Sequence, residues 1–342
     1  MKKYMIITII TYSILLIIFI IITNMIYSEA KAEESQYAME RWTYGGSNMK
    51  YTQLSLFTDR ESNIYSNKII EYKHKIDNAL ISASIDVNAQ SSDIWKYAYS
   101  TQTKLPNTSV QNAKTSVSVA GVGGDFFIFH PMTLINGVYF NESNLITDTV
   151  VIDEGMAWQA FGSYDVAGLE IFINNIPFTV SGVAARKYDD LSIAAYGDSP
   201  HIFMQYNALT QVMGQELPIT CYEVILPNLI SSFAMNIFKA QTSIPETNGY
   251  YLENTNRFSI INLYNNMAGF NKRGMRIDLV NYPYWENIAV VRMDTCSILL
   301  FFNTIVLILI LCFTIFQIVF LAIKYDLTFK HLKNVIINYK KK

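Results

Sequence analysis

The sequence predicts an α+β fold: one membrane-anchored extracytoplasmic domain of mixed strands and helices, flanked by two transmembrane helices. Three observations carry this. First, the 342 residues are 51% hydrophobic but only 16% charged, against about 25% charged in a typical soluble domain. Residues 4–28 and 295–323 contain no charge at all. Both runs exceed the roughly 20 apolar residues needed to cross a bilayer, and as helices would reach about 38 and 44 Å. Second, charge is opposed along the chain. Residues 1–3 and 324–342 hold eight Lys against Asp326, a net of +7, whereas residues 29–294 hold 18 Lys and Arg against 27 Asp and Glu, a net of −9. The positive-inside rule then puts both ends in the cytoplasm and the acidic middle outside. Third, the middle alternates strand-like and helix-like texture.

In chain order, residues 1–3 are a cytoplasmic N-terminus and 4–28 the first transmembrane helix. Ala30-Lys31-Ala32 has the form of a signal-peptidase site, yet the apolar run outlasts the roughly 7–15 residues of a signal core, so we read it as a retained helix. Residues 29–50, with Glu29, Glu33, Glu34 and Gly45-Gly46-Ser47, form a polar lead-in. Residues 51–57 read as a strand. Asp59 would cap the next helix, and Ile64, Ile69, Tyr72, Ile76 and Leu80 recur at near-helical spacing, predicting an amphipathic helix over 61–82. Strands follow at 94–100 and 116–122, around a polar loop at Pro106.

From 125 to 217 strands become short and turns frequent, a β-rich insert. Residues 149–152 lead into a helix at 154–161 with Asp153 as N-cap and Gly162 closing it. Runs at 169–173 and 178–183 flank Asn174-Asn175, a hairpin signal, and 201–205 reads as a strand. From 221 the α/β texture returns with a strand at 221–226, a helix at 228–241 and a short strand near 250–252. The flanks 51–122 and 221–285 therefore read as one α/β part around the insert. Residues 295–323 are the second span, and 324–342 a basic cytoplasmic tail. In that tail Leu332, Val335, Ile336 and Tyr339 would form an apolar stripe on a helix. It suits anionic membrane lipid or a cytoplasmic partner.

Chemistry is sparse. Of four His, His331 is cytoplasmic, His74 lies between Lys73 and Lys75 on a helix face, and His130 and His201 adjoin Pro131 and Pro200. None has zinc-site spacing. Asp153-Glu154 and Asp189-Asp190 are adjacent pairs, and neighbours in a strand point to opposite faces. Asp189-Asp190 sits beside Arg186 and Lys187 in what reads as an exposed loop. Gly121-Val122-Gly123-Gly124 is not a dinucleotide fingerprint, and Asp125-Phe126-Phe127 does not read as a helix start. Asn107-Thr108-Ser109 and Asn141-Glu142-Ser143 match only a short glycosylation triplet. Cys296 and Cys312 fall in the second span, leaving Cys221 alone outside, as a buried strand residue. The acidic exterior argues against nucleic acid. We read no catalytic, cofactor-binding or metal-binding residues and no enzyme.

One stretch resembles a known family. Val119-Ala-Gly-Val122, Asp125-Phe126-Phe127, Leu134-Ile-Asn-Gly137-Val-Tyr-Phe140, Val150-Val-Ile-Asp-Glu154, Ala160-Phe-Gly162, Asp165-Val-Ala-Gly168 and Phe178-Thr-Val-Ser-Gly-Val183 keep an order and spacing similar to the periplasmic core domain of MacB-type ABC transporter permeases. Glu286-Asn-Ile-Ala-Val-Val-Arg-Met-Asp294 resembles the family's return to the membrane. The resemblance implies an α/β (Porter-like) part interrupted by a β-rich (Sabre-like) part, and a non-catalytic, permease-like or accessory subunit of an ABC complex for export or mechanotransmission. It further implies an ABC ATPase and further permease subunits as partners, and an oligomer. The family has three helices after the domain where this sequence has one, a short form with two transmembrane helices, and no ATPase motif is present. Two other classes share the topology: regulators of cell-surface polysaccharide, whose Pro-rich segment is here only Pro283, and ligand-sensing subunits, for which 19 tail residues are too few to fold as an output module.

Overall fold

A computed structural model describes residues 2–43, 49–85, 94–140, 147–269 and 283–340. Gly45-Gly46-Ser47 and Asn141-Glu142-Ser143 lie outside the described residues. The chain divides into a helical unit (1–32, 260–268 and 293–342) and a sheet unit (33–259 and 269–292). Residues 260–268, assigned from sequence to the α/β part, thus cluster with the helical unit.

The helical unit contains α1 (Lys2–Lys31), the short α9 (Ile260–Met267) and α10 (Tyr284–Lys340) from Met293 onward. Residues 6–31 of α1 and 284–326 of α10 are long and apolar enough to cross a membrane. The two helices pair antiparallel through polar groups placed inside the apolar runs. Asn303 Nδ2 donates to Thr23 Oγ1 at 3.0 Å, Tyr12 OH to Thr314 Oγ1 at 2.8 Å and Tyr4 OH to Gln317 Oε1 at 2.6 Å. In lipid, where apolar contact alone does little to join helices, such bonds set register. Helix α10 runs through the basic tail to Lys340; the side chains of Leu332, Val335, Ile336 and Tyr339 lie outside the described ones.

In the sheet unit ten strands form one sheet: β1 (Tyr51–Thr58), β2 (Lys96–Leu105), β3 (Val117–Gly124), β4 (Leu134–Gly137), β5 (Thr149–Asp153), β6 (Glu170–Ile173), β7 (Ile176–Ala184), β8 (His201–Gln205), β9 (Cys221–Pro227) and β10 (Gly249–Glu253). Their order is β10-β1-β9-β2-β3-β8-β5-β7-β4, with β6 on β7. The flanks supply an all-antiparallel half, and the insert supplies the other. The seam is the parallel pair β3–β8, from Ser118 opposite His201 to Val122 opposite Gln205.

Strand alternation sorts side chains between faces. Tyr222, Val224 and Leu226 of β9 pack with Ile69, Tyr72, Ile76 and Leu80 of α3 (Ser66–Ser82) and Phe238 of α8 (Phe233–Thr242). Val150 and Ile152 of β5 pack with α5 (Glu154–Phe161) and α7 (Tyr206–Met213). Their in-between neighbours Cys221, Ile225 and Val151 meet on the other face, with Phe203 of β8 and with Phe126, Phe129 and Trp285, in one core spanning both halves. Both faces are covered, which is why these strands read as continuous apolar runs. The insert also carries α4 (Phe126–Phe129) and α6 (Asp190–Tyr196), and the lead-in carries α2 (Ala38–Thr43).

Local signals act where a side chain closes a turn. Asp153 caps α5 by accepting the Met156 N–H at 2.7 Å, and Gly162 ends it at φ 68°. Asn174 and Asn175, at φ 50° and 63°, make the β6–β7 hairpin. Other boundaries shift. Asp59 caps only a single turn, Arg60–Ser62, which Asn63 stops at φ 50°, so the helix expected from 61 begins at Ser66. The helix expected from 228 begins at Phe233, after Ser232 at φ 64°. Phe126–Phe129 is one helical turn despite its unpromising start. The glycines before it serve packing: a Cβ on Gly123 would meet the Tyr99 ring at 2.1 Å.

Candidate functional site

Within the sheet unit, the first turns of α10 gather the buried charges. Glu286, 3% exposed, receives two parallel hydrogen bonds from Arg257, Nη1 to Oε2 and Nη2 to Oε1, both 2.8 Å. Arg257 Nη1 also donates to Gln36 Oε1 at 3.1 Å in the lead-in. One turn and a half further along, Arg292 Nη2 donates to Asp189 Oδ1 at 3.1 Å, and its Nε stands 3.8 Å from Glu33 Oε2. Burial pushes the Glu33 carboxyl above the usual carboxylate range, against the opposing Ser35 hydrogen bond and the charges of Lys187, Arg292 and Arg257. The lead-in is itself held to β1, because Gln53 accepts the Ala38 N–H at 3.0 Å and donates to the Ser35 carbonyl at 2.7 Å. Lead-in, the Arg257 turn, α6 and α10 are thereby tied together by charge-assisted bonds, buried at Arg257–Glu286 and half-open to solvent at Arg292–Asp189.

The neighbouring residues of α10 reach two further polar clusters. Trp285 packs on His130 with ring centroids 4.2 Å apart, and His130 Nε2 contacts Glu223 Oε2. Glu223 also accepts from Ser55 Oγ at 2.9 Å, and Ser55 receives Asn254 Nδ2 at 2.7 Å. Tyr284 stands edge-on to Tyr196 at 4.8 Å, and Tyr196 lies on His201 at 3.6 Å. Beneath them Asp153 meets Tyr196 OH at 3.3 Å, Arg186 Nε at 3.7 Å and His201 Nδ1 at 3.9 Å. Burial raises Asp153 to about 6, opposed by the Met156 N–H and Arg186, and lowers His201 to about 3.

The residues considered from sequence fall as follows. Asp153 and His201 come together, but both are sealed under aromatic rings. His130 joins Glu223, and His74 is exposed on α3. Asp189 is exposed at the end of a loop, as read, but the loop leads straight into a helix. This residue is the N-cap of α6, accepting Ser192 N–H at 3.2 Å and Ser192 Oγ–H at 2.6 Å, and it pairs with Arg292. Cys221 is buried in β9, its thiol pushed well up by burial. Among the described residues no group of three or more His, Cys, Asp or Glu has the geometry to hold a metal ion. Sequence reading missed Arg257, Glu286 and Arg292. Glu286 and Arg292 had one signal, their place in the Glu286–Asp294 run that leads to the second span, while Arg257, among Asn254-Thr255-Asn256 and Ser259, had none.

A family model described as the MacB-like periplasmic core domain matches residues 6–228. The chain belongs to this family. The macrolide export ATP-binding/permease protein MacB of Chromobacterium violaceum is 30% identical over 109 residues, 31% of this chain and 16% of that protein. The protein of the same name from Escherichia coli is 33% identical over 110 residues, 30% of this chain and 16% of that protein. The matched stretch is thus about a sixth of the length of these relatives. The crystal structure of the periplasmic region of MacB from Actinobacillus actinomycetemcomitans aligns over 61% of this chain and 92% of that one, at 15% identity and a TM-score of 0.41. The extracellular domain of the noncanonic ABC-type transporter YknZ from Gram-positive bacteria aligns over 59% and 98%, at 12% identity and a TM-score of 0.38. This is a MacB-like domain of an ABC transporter permease family, on a membrane-anchored chain with two helices able to span. The MacB-like stretch includes Asp153, Asp189 and His201, while Arg257, Glu286 and Arg292 lie beyond residue 228.

Proposed function

We propose that this chain is a non-catalytic, permease-like or accessory subunit of an ABC transporter complex. It couples the action of a cytoplasmic ATPase to its extracytoplasmic domain, for export or mechanotransmission. The observation that carries the reading is the tie of Arg257 to Glu286 and of Arg292 to Asp189. A helix whose first turns are bonded through Glu286 and Arg292 pulls on the turn and the short helix that hold it when it shifts, which is what force transmission requires. Family membership supports the transporter context, and the relatives' name, which joins ATP binding and permease in one protein, supports an ATPase acting with this chain. The charge division, +7 at the ends and −9 between them, supports cytoplasmic termini. Further permease subunits, self-association and lipid contact belong to the same reading.

Purification of the full chain from its native membrane in mild detergent is the test. An ABC ATPase should come down with it in stoichiometric amount. A chain recovered repeatedly without one sinks the proposal.

A further inference from the structure

Helix α9 is short, uncharged and two-faced. Leu263 and Asn266 are 1% exposed, and Asn266 Nδ2 donates to Asp294 Oδ1 at 2.7 Å and to Ser297 Oγ at 3.0 Å on α10. Tyr264 OH contacts Thr304 Oγ1. Asp294 is the last charged residue of α10 before the charge-free run 295–323, and Thr304 stands ten residues, about 15 Å, further along the helix. Helix α9 therefore lies alongside the opening of the apolar span. Its opposite face presents Ile260 and Ile261, 64% and 73% exposed, with Tyr264 and the exposed Asn265 at their side. At the same level α10 exposes Ile298, Phe301, Phe302 and Ile305. The two helices thus both expose apolar side chains along the stretch where they are bonded to each other.

We propose that α9 is an interfacial helix whose Ile260–Ile261 face is covered by the bilayer, in the boundary between headgroups and acyl chains at the Asp294 end of the span. The lipid surface is the occupant because α9 is bonded alongside α10, whose exposed flank stays apolar and uncharged to Ile323. Tyr264, with an apolar ring and a polar tip, suits the same boundary. An amphipathic helix in this layer buries only its apolar face. Here Asn266 faces away from it, onto Asp294 and Ser297. The chain so gains a third membrane contact, outside both spans.

Spin labelling of the full chain in phosphatidylethanolamine–phosphatidylglycerol vesicles tests this. Ile261→Cys is made in a Cys312→Ser background, since Cys221 and Cys296 are buried, and Cys312→Ser alone is the blank. Ile261 is exposed, so the change removes no packed side chain. A label at 261 should collide more with oxygen than with a water-soluble nickel chelate. A label at Ile230→Cys, 71% exposed in the sheet unit, should show the reverse order. The proposal is overturned if the chelate dominates at 261, which means water. It is equally overturned if both reagents are excluded there and the label is immobilised, which means that protein, such as a second copy, covers the face.

Discussion

Two buried charged clusters in the sheet unit differ in how they solve the same problem. Around Glu286, the buried carboxylate meets a guanidinium in a two-bond fork, and Gln36 takes up another of its donors. Around Asp153, the nearest cation, Arg186, approaches only to 3.7 Å, and burial prevails, raising the acid to about 6 while holding His201 down at about 3. Burial alone decides neither outcome. What decides is whether a partner arrives in bonding geometry, since an unpaired buried charge is costly and a forked pair offsets much of that cost. The Glu286 cluster is thus a fastening made by a forked ion pair, and the Asp153 cluster is a packed cap whose acid is pushed upward by burial.

Breaking the fastening should have the largest effect. Glu286→Gln leaves Arg257 buried without its counter-charge, and a loss of about 3–5 kcal/mol is expected in chemical denaturation of the full chain. The double change Arg257→Met with Glu286→Met should cost clearly less than the sum of the two single changes. Additive costs would show that the pair does not act as a unit. Next comes the cap. Asp153→Ala removes the acceptor of the Met156 N–H and should cost about 1 kcal/mol, whereas Asp153→Asn keeps a capping oxygen and should cost less. Equal losses from both would mean that charge, not capping, is what Asp153 contributes.

The pH response sharpens the contrast further. Asp153 is raised above its unfolded value of 3.8, so its contribution is full below about 4 and is lost as pH rises through about 6. His201 is lowered below its unfolded value of 6.5, so its contribution is full above 6.5 and is lost as pH falls towards about 3. The two slopes oppose each other between about 4 and 6. His201→Gln should therefore make acid tolerance better, leaving stability that declines from pH 4 to 6. A thermal melt series across that window checks it, and an unchanged profile would remove His201 from the account. Smallest is the helical unit, where Asn303→Leu removes the bond to Thr23. Such interhelical bonds are worth about 0.6 kcal/mol on average, measurable as a small shift in unfolding in detergent.

How much could be read in advance depended on the range of each interaction. Asp153 as a cap, Gly162 as a stop and Asn174-Asn175 as a turn act within four residues, and each was legible. Helix starts at 61 and 228 were misplaced because apolar spacing continued through Asn63 and Ser232, whose left-handed backbone interrupts the helix. Asp189 read as a loop acid because its second partner, Arg292, lies 103 residues away. In the segment with Phe258, Ile261, Leu263 and Met267, only a course leading back towards the membrane could be read. The assignment of residues 260–267 to the helical unit depends on Asn266 meeting Asp294, a contact no spacing rule announces.

Membrane anchoring, the mixed α/β character and the alternation of apolar strand residues were set by local chemistry. A charge-free run, a period of two and a capping oxygen each act through bonded neighbours, whatever the rest of the chain does. The single sheet joined at β3 and β8, the core shared by both halves, and the partners of Glu286, Arg257 and Arg292 were decided only in three dimensions. Charges have no period, and the partner of a buried one is supplied by a distant segment of the chain that only the fold brings back to it.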